Sequence, residues 1–73
     1  MNKLPVLSGK ELIKILQKNG FEVRRQKGSH VILAKESIKK AVVVPLHNEI
    51  DKGTLIEIIR QAGMTKEEFM ELL

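Results

Sequence analysis

Phe21-Glu22-Val23-Arg24-Arg25-Gln26-Lys27-Gly28-Ser29-His30-Val31-Ile32-Leu33-Ala34 is the stretch on which the fold turns. From Phe21 to Gln26 the first half alternates apolar and polar residues, the pattern of a half-buried strand with Phe21 and Val23 toward the core. Lys27-Gly28-Ser29 reads as a turn, because glycine reaches backbone conformations that other residues avoid. His30 to Ala34 then reads as a second strand, joined to the first as a hairpin. If Val31 and Leu33 point inward, His30 and Ile32 share the outer face.

Upstream, Ser8-Gly9-Lys10-Glu11 matches a capping box, in which the Ser8 hydroxyl and the Glu11 carboxylate each satisfy a backbone amide of the other. Leu12, Ile13 and Leu16 give the following helix one apolar face, and Asn19-Gly20 end it. Downstream, Lys35 to Lys40 reads as a polar loop. Ala41 to Val44 reads as a third strand stopped by Pro45. Leu46 to Lys52 is a connector, and Asp51 or a neighbour is placed to cap the next helix. In that helix Leu55, Ile58, Ile59 and Ala62 form an amphipathic stripe that Gly63 stops. Thr65-Lys66-Glu67-Glu68 is a second capping box, opening a short helix with Phe69, Leu72 and Leu73 on one side. The order is α-β-β-β-α-α. A three-stranded antiparallel sheet with helices on one face is the simplest way to bury these stripes, which makes the class α+β and residues 1–73 a single domain.

The chain has 73 residues, so it supports one domain of modest stability. Apolar residues make up 42% of it, too many for a disordered segment. It has no cysteine, which removes disulfides and thiolate zinc sites. The longest apolar run, Ala41 to Leu46, is too short to span a bilayer, and Met1-Asn2-Lys3-Leu4-Pro5 lacks a signal-peptide pattern. A soluble, cytoplasmic protein with no membrane partner is expected. The net charge of +4 favours an anionic partner, with nucleic acid foremost. Phe21 and Phe69 are the only aromatic residues and both read as core, so stacking of bases on aromatic rings is not expected.

The chemistry rests on two histidines, His30 and His47. The chain carries no paired-carboxylate motif, no phosphate loop and no metal-ligand cluster, so neither metal nor small-molecule cofactor is expected. Histidine titrates near neutral pH and can take or give a proton at useful rates. His30 ends a Gly28-Ser29 turn, with Arg24, Arg25 and Lys27 just before it. Gly28 lets a ligand approach the backbone, Ser29 can donate to a phosphate oxygen, and the cations can stabilise charge on a phosphoryl group. That set suits a phosphodiester. RNA supplies its own 2′-hydroxyl as nucleophile, so cleavage of RNA would need no metal. An isolated histidine at a strand edge is more commonly an ordinary polar residue. His47, after Pro45-Leu46, fits a supporting or structural role. Arg24 and Arg25 are adjacent on a strand, so only one can join His30 on the open face. Lys52-Gly53-Thr54, at a helix start, could hold a phosphate through backbone amides, or could simply initiate the helix. Lys39 and Lys40 flank the loop and read as solvated.

Three functions therefore stand side by side. The first is a ribonuclease using His30. The second is a non-catalytic RNA-binding module using the same cations. The third is a protein-interaction domain whose basic face docks an acidic partner. Val42-Val43-Val44 is apolar on both strand faces, where a solvated outer face would be more polar, so a protein covering that face is also expected.

Read in order, these segments resemble the HicA family of toxins from bacterial toxin–antitoxin pairs. The matching pieces are Leu4-Pro5, Ser8-Gly9-Lys10-Glu11-Leu12, Gly20-Phe21 and Gln26-Lys27-Gly28-Ser29-His30, followed by Val44-Pro45 with His47, Lys52-Gly53-Thr54-Leu55 and Ile59 to Thr65. The resemblance implies a fold like the double-stranded-RNA-binding domain, α-β-β-β-α, here with a short extra C-terminal helix. It implies an endoribonuclease that cleaves messenger RNA and arrests growth, and inhibition by a HicB-type antitoxin protein. The family's catalytic histidine falls on His30, and the histidine of its P-x-H motif on His47. Gly28, Ser29, Lys27, Arg24, Arg25, Lys52 and Thr54 are the expected RNA contacts. Lys35 to Lys40 departs from the pattern, lacking the Asp/Gly turn of relatives.

Overall fold

The computed structural model describes residues 4–73; Met1 to Lys3, which open the stretch read above for targeting signals, lie outside the described residues. Helix α1 spans Gly9–Lys18, strand β1 Glu22–Lys27, β2 His30–Lys35 and β3 Lys40–Pro45, followed by helices α2, Lys52–Gln61, and α3, Lys66–Met70. The strands form one antiparallel sheet in the order β1-β2-β3. This is the α+β layout of a double-stranded-RNA-binding domain, with α3 added.

Each helix starts where its capping residue predicts. The Ser8 hydroxyl accepts from the Glu11 amide at 3.1 Å, and the Ser8 amide donates to the Glu11 carboxylate at 2.8 Å. Thr65 and Glu68 repeat the arrangement ahead of α3. Asp51 caps α2. At the C-terminus of α1, the Gly20 amide donates to the Gln17 carbonyl and the Phe21 amide to the Leu16 carbonyl. Gly63 and Met64 do the same for Arg60 and Ile59 at the end of α2. These paired bonds need a left-handed residue after the helix, and Gly20 and Gly63 provide it at φ +93° and +78°.

The core lies between the helices and one sheet face. Leu12 and Leu16 of α1, Leu55, Ile58 and Ile59 of α2, and Phe69 of α3 are buried with Val31, Leu33, Val42 and Val44 of the sheet. Each such side chain contributes roughly 1.5–3 kcal/mol when withdrawn from water. No polar side chain is buried among the described residues. Among the described residues no helix is long and apolar enough to cross a membrane.

Five local expectations are corrected. Phe21 is buried but precedes β1, because its amide closes α1 rather than joining the ladder. Val23 lies opposite Leu33, on the helix side, yet is 45% exposed, since β1 is an edge strand there. The loop from Lys35 to Lys40 is shorter than expected. Lys35 and Lys40 form the last pair of the β2–β3 ladder, and a 3₁₀ turn, Glu36–Ile38, with Lys39 at φ +52° closes the hairpin. Pro45 ends β3 from within, opposite His30, which an edge strand tolerates. Leu73 is 54% exposed, because α3 stops at Met70 before its apolar face reaches that far, whereas Leu72 packs against the core.

Candidate active site

The Gly28-Ser29 turn is set by the hairpin register. Lys27 pairs with His30, leaving only Gly28 and Ser29 between the strands. Gly28 sits at φ +59° and Ser29 does not share a positive φ. Those φ signs belong to a type II′ turn, in which glycine favours the first position. A Cβ on Gly28 would meet nothing within 4 Å, so glycine is required there by backbone conformation and not by crowding. The space over the turn is open, and His30 is exposed.

Ladder pairing sorts the side chains by face. Residues directly opposite one another project to the same side of a sheet. Lys27, His30 and Pro45 form one row, and Arg25, Ile32 and Val43 form the next row on that face, away from the helices. The register shifts between Val23 and Arg25, so Arg24 is a bulge residue without a partner. This irregularity decides which arginine joins His30: Arg25 does. Arg24 instead reaches toward the far end of the sheet, where its guanidinium lies 3.5 Å from Glu22 and 3.4 Å from Glu36. Lys27 and Arg25 form no ion pair among the described residues.

His47 is brought beside the turn through the backbone. The Leu46 amide donates to the Ser29 carbonyl at 2.7 Å, and the Gly9 amide donates to the His47 carbonyl at 2.9 Å. The start of α1, the connector after β3 and the hairpin turn are therefore fastened together. Gly9 makes this possible, since a Cβ there would lie 2.1 Å from the Pro45 carbonyl oxygen. The His47 side chain is exposed.

Lys52 and Thr54 form a separate cluster in the first turn of α2 and share no hydrogen bond with the hairpin turn. The helix start already holds an anion. The Asp51 carboxylate accepts from the Thr54 hydroxyl at 2.7 Å and from the Thr54 amide at 3.1 Å. These bonds, the hydroxyl's first, hold the Asp51 carboxyl below the usual carboxylate range. An incoming phosphate would have to displace or oppose it. Lys52 lines an apolar groove of about 180 Å³ with Leu4, Pro5, Val6, Ile50 and Leu55.

Gly9 and Gln26 escaped the sequence reading as site residues. Gly9 looked like filler in a capping box, and no local pattern shows that a distant strand end will press against it. Gln26 donates from Nε2 to the Gly28 carbonyl at 3.1 Å, a contact that depends on the turn type.

A family model described as the HicA toxin of bacterial toxin–antitoxin systems matches residues 9–64. The match opens on the first residue of α1 and closes just after α2, so it contains the whole sheet, both histidines, and Arg24, Arg25, Lys27 and Lys52. No curated protein sequence matches the chain.

Proposed function

Since the chain belongs to the HicA toxin family of bacterial toxin–antitoxin systems, we propose that it is a metal-independent endoribonuclease that cuts messenger RNA with His30 as general acid/base. The observation that carries this reading is the row formed by Lys27 and His30 beside an open glycine turn. A phosphate placed over Gly28 and Ser29 meets exposed backbone, the Ser29 hydroxyl and the Lys27 ammonium, with Arg25 one row away. His30 takes the proton from the RNA 2′-hydroxyl. The 2′-oxygen attacks phosphorus, the bond to the 5′-oxygen breaks, and the departing oxygen acquires a proton from imidazolium or water. The products are a 2′,3′-cyclic phosphate and a 5′-hydroxyl. The cations stabilise charge building on the phosphoryl oxygens. His47 serves through its backbone, by fixing the connector against α1. Arg24, Lys52 and Thr54 are outer RNA contacts, since each is already engaged elsewhere or lies on another element.

A HicB-type antitoxin is the proposed inhibitor, docking on the sheet face away from the helices. Val43 is 44% exposed there, beside half-buried Ile32, and both adjoin the row of His30. A protein covering these apolar residues blocks His30 at the same time.

The test uses synthetic RNA in metal-free buffer. Cleavage yielding 2′,3′-cyclic phosphate ends, abolished by a single 2′-deoxy substitution at the cut site, is the expected result. Cleavage that survives the substitution would show a different nucleophile, and cleavage that requires added divalent cations would overturn the metal-independent reading. RNA retained without cleavage would favour a binding module.

A further inference from the structure

The bond from Gln26 to the Gly28 carbonyl does more than close a turn. Gln26 lies opposite Val31, which is buried, so its side chain leaves the strand on the helix side. Lys27 and His30 occupy the other side. The Gly28 carbonyl and the Ser29 amide belong to one planar trans peptide, in which C=O and N–H point in opposite directions. Drawing the carbonyl toward Gln26 at 3.1 Å therefore turns the Ser29 N–H toward the face of Lys27 and His30. That N–H meets no acceptor among the described residues. The next peptide is fixed independently, since the Ser29 carbonyl is held by the Leu46 amide at 2.7 Å.

We propose that Gln26 is a positioning residue, which locks the Gly28–Ser29 peptide so that the Ser29 N–H donates to a non-bridging oxygen of a bound RNA phosphate. This rests on reading the turn as the phosphate site. The donor is preorganised, so it needs no rearrangement as charge grows on that oxygen. Ser29 then offers two donors, its amide and its hydroxyl, and only the amide depends on Gln26.

Gln26→Met keeps the length of the side chain and removes the donor. Gln26→Glu keeps its shape and sets a carboxylate against the carbonyl. Gln26→Lys restores an N–H donor. Each is compared with the wild-type chain by ¹⁵N–¹H spectra during titration with a 2′-O-methyl RNA hexamer, which lacks the nucleophile, and by single-turnover cleavage of the unmodified hexamer. In the wild type the Ser29 amide moves downfield on binding. In Gln26→Met and Gln26→Glu that response falls at least threefold and the cleavage rate falls about tenfold, while KM stays within about twofold and the pH profile keeps its midpoint. Gln26→Lys recovers both. A wild-type Ser29 amide indifferent to the hexamer overturns the proposal, as do Met and Glu variants equal to wild type. A Ser29 response that depends on Gln26 in a protein that cleaves nothing supports the proposal and overturns the ribonuclease reading instead.

Discussion

Strand β2 ends in two turns built on opposite terms. At its start, Gly28 takes a positive φ of 59°, where glycine is at ease, and nothing stands within 4 Å of where a side chain would be. At its other end, Lys39 takes φ 52° with a full side chain, and Lys35 faces Lys40 directly across the ladder. Left-handed backbone costs a residue with a Cβ roughly 1–2 kcal/mol, and like charges directly opposite repel. The second turn is nevertheless anchored. Lys35 lies against Gly20 at the end of α1, and Lys40 against Gly63 at the end of α2. Helix C-termini carry partial negative charge and favour such cations. The Asn19 amide reaches Met64 Sδ at 3.7 Å, so the two helix ends meet there. One turn is relaxed, open and tied down only through its backbone. The other is strained, charged and braced by the scaffold. The first is the turn proposed above as the phosphate site, and the second joins the sheet to the ends of both longer helices.

The largest break in this comparison comes from the anchor of the open turn. Gly9→Ala places a methyl group against the Pro45 carbonyl, where backbone must move. Overpacking of that kind costs about 1–3 kcal/mol or more, and in a domain of this size each kcal/mol lowers Tm by about 4–8 °C. Thermal unfolding followed by circular dichroism measures it, and a Tm within 2 °C of wild type (a threshold set at about half the smallest expected shift) would contradict the packing described.

A smaller pair of substitutions carries opposite signs at the two turns. Gly28→Ala introduces no clash but a conformational cost of about 1 kcal/mol. Lys39→Gly relieves the same kind of cost and stabilises by up to about 1 kcal/mol after glycine's extra chain entropy is counted. Urea unfolding of both variants checks the pair; two changes of the same sign would show that the turns are not distinguished by strain.

The smallest effect is a pH dependence at α2. Asp51 has its carboxyl held below the usual range by Thr54, so it is depressed in the folded chain relative to the unfolded one. Its contribution is present above the unfolded value, near pH 4 (about 3.9 for a free Asp), and is lost as pH falls through the folded value. Asp51→Asn keeps an acceptor for the Thr54 amide and loses the titration. Its Tm therefore falls less than that of wild type between neutral and strongly acidic pH. Equal declines would place the acid sensitivity elsewhere, for example on Glu57, which Arg60 and Gln61 hold low in the same way.

Local chemistry made most of this architecture legible in the primary structure. Ser8, Asp51 and Thr65 sit where helices begin, and Gly20 and Gly63 where they end, because caps are specified within a few neighbouring residues. The inward Val31 and Leu33 followed from alternation along β2. What stayed hidden depends on distant parts of the chain. The bulge at Arg24 exists only once β1 is registered on β2, and it alone selects Arg25 over Arg24 for the face of His30. The short hairpin at Lys39 carries no Gly or Asn to announce it. The bonds from Thr54 to Asp51 are local by contrast, and of the two readings open for Lys52-Gly53-Thr54 they favour helix initiation over a free phosphate cradle. The order of motifs points to His30 as the proposed centre of the site, and the ladder shows which side chains share its face.

The central claim is that His30 performs proton transfer on an otherwise ordinary surface. The direct measurement is cleavage of purified RNA by wild type and by His30→Ala, with Tm recorded on the same samples. His30 is exposed and makes no hydrogen bond through its side chain to the described residues. The account predicts loss of cleavage by at least about 100-fold, the lower range for a general acid/base, with Tm moved by no more than about 2–4 °C, a shift of about 0.5 kcal/mol. Cleavage by His30→Ala at a rate within threefold of wild type (about 0.65 kcal/mol in the barrier) would contradict it.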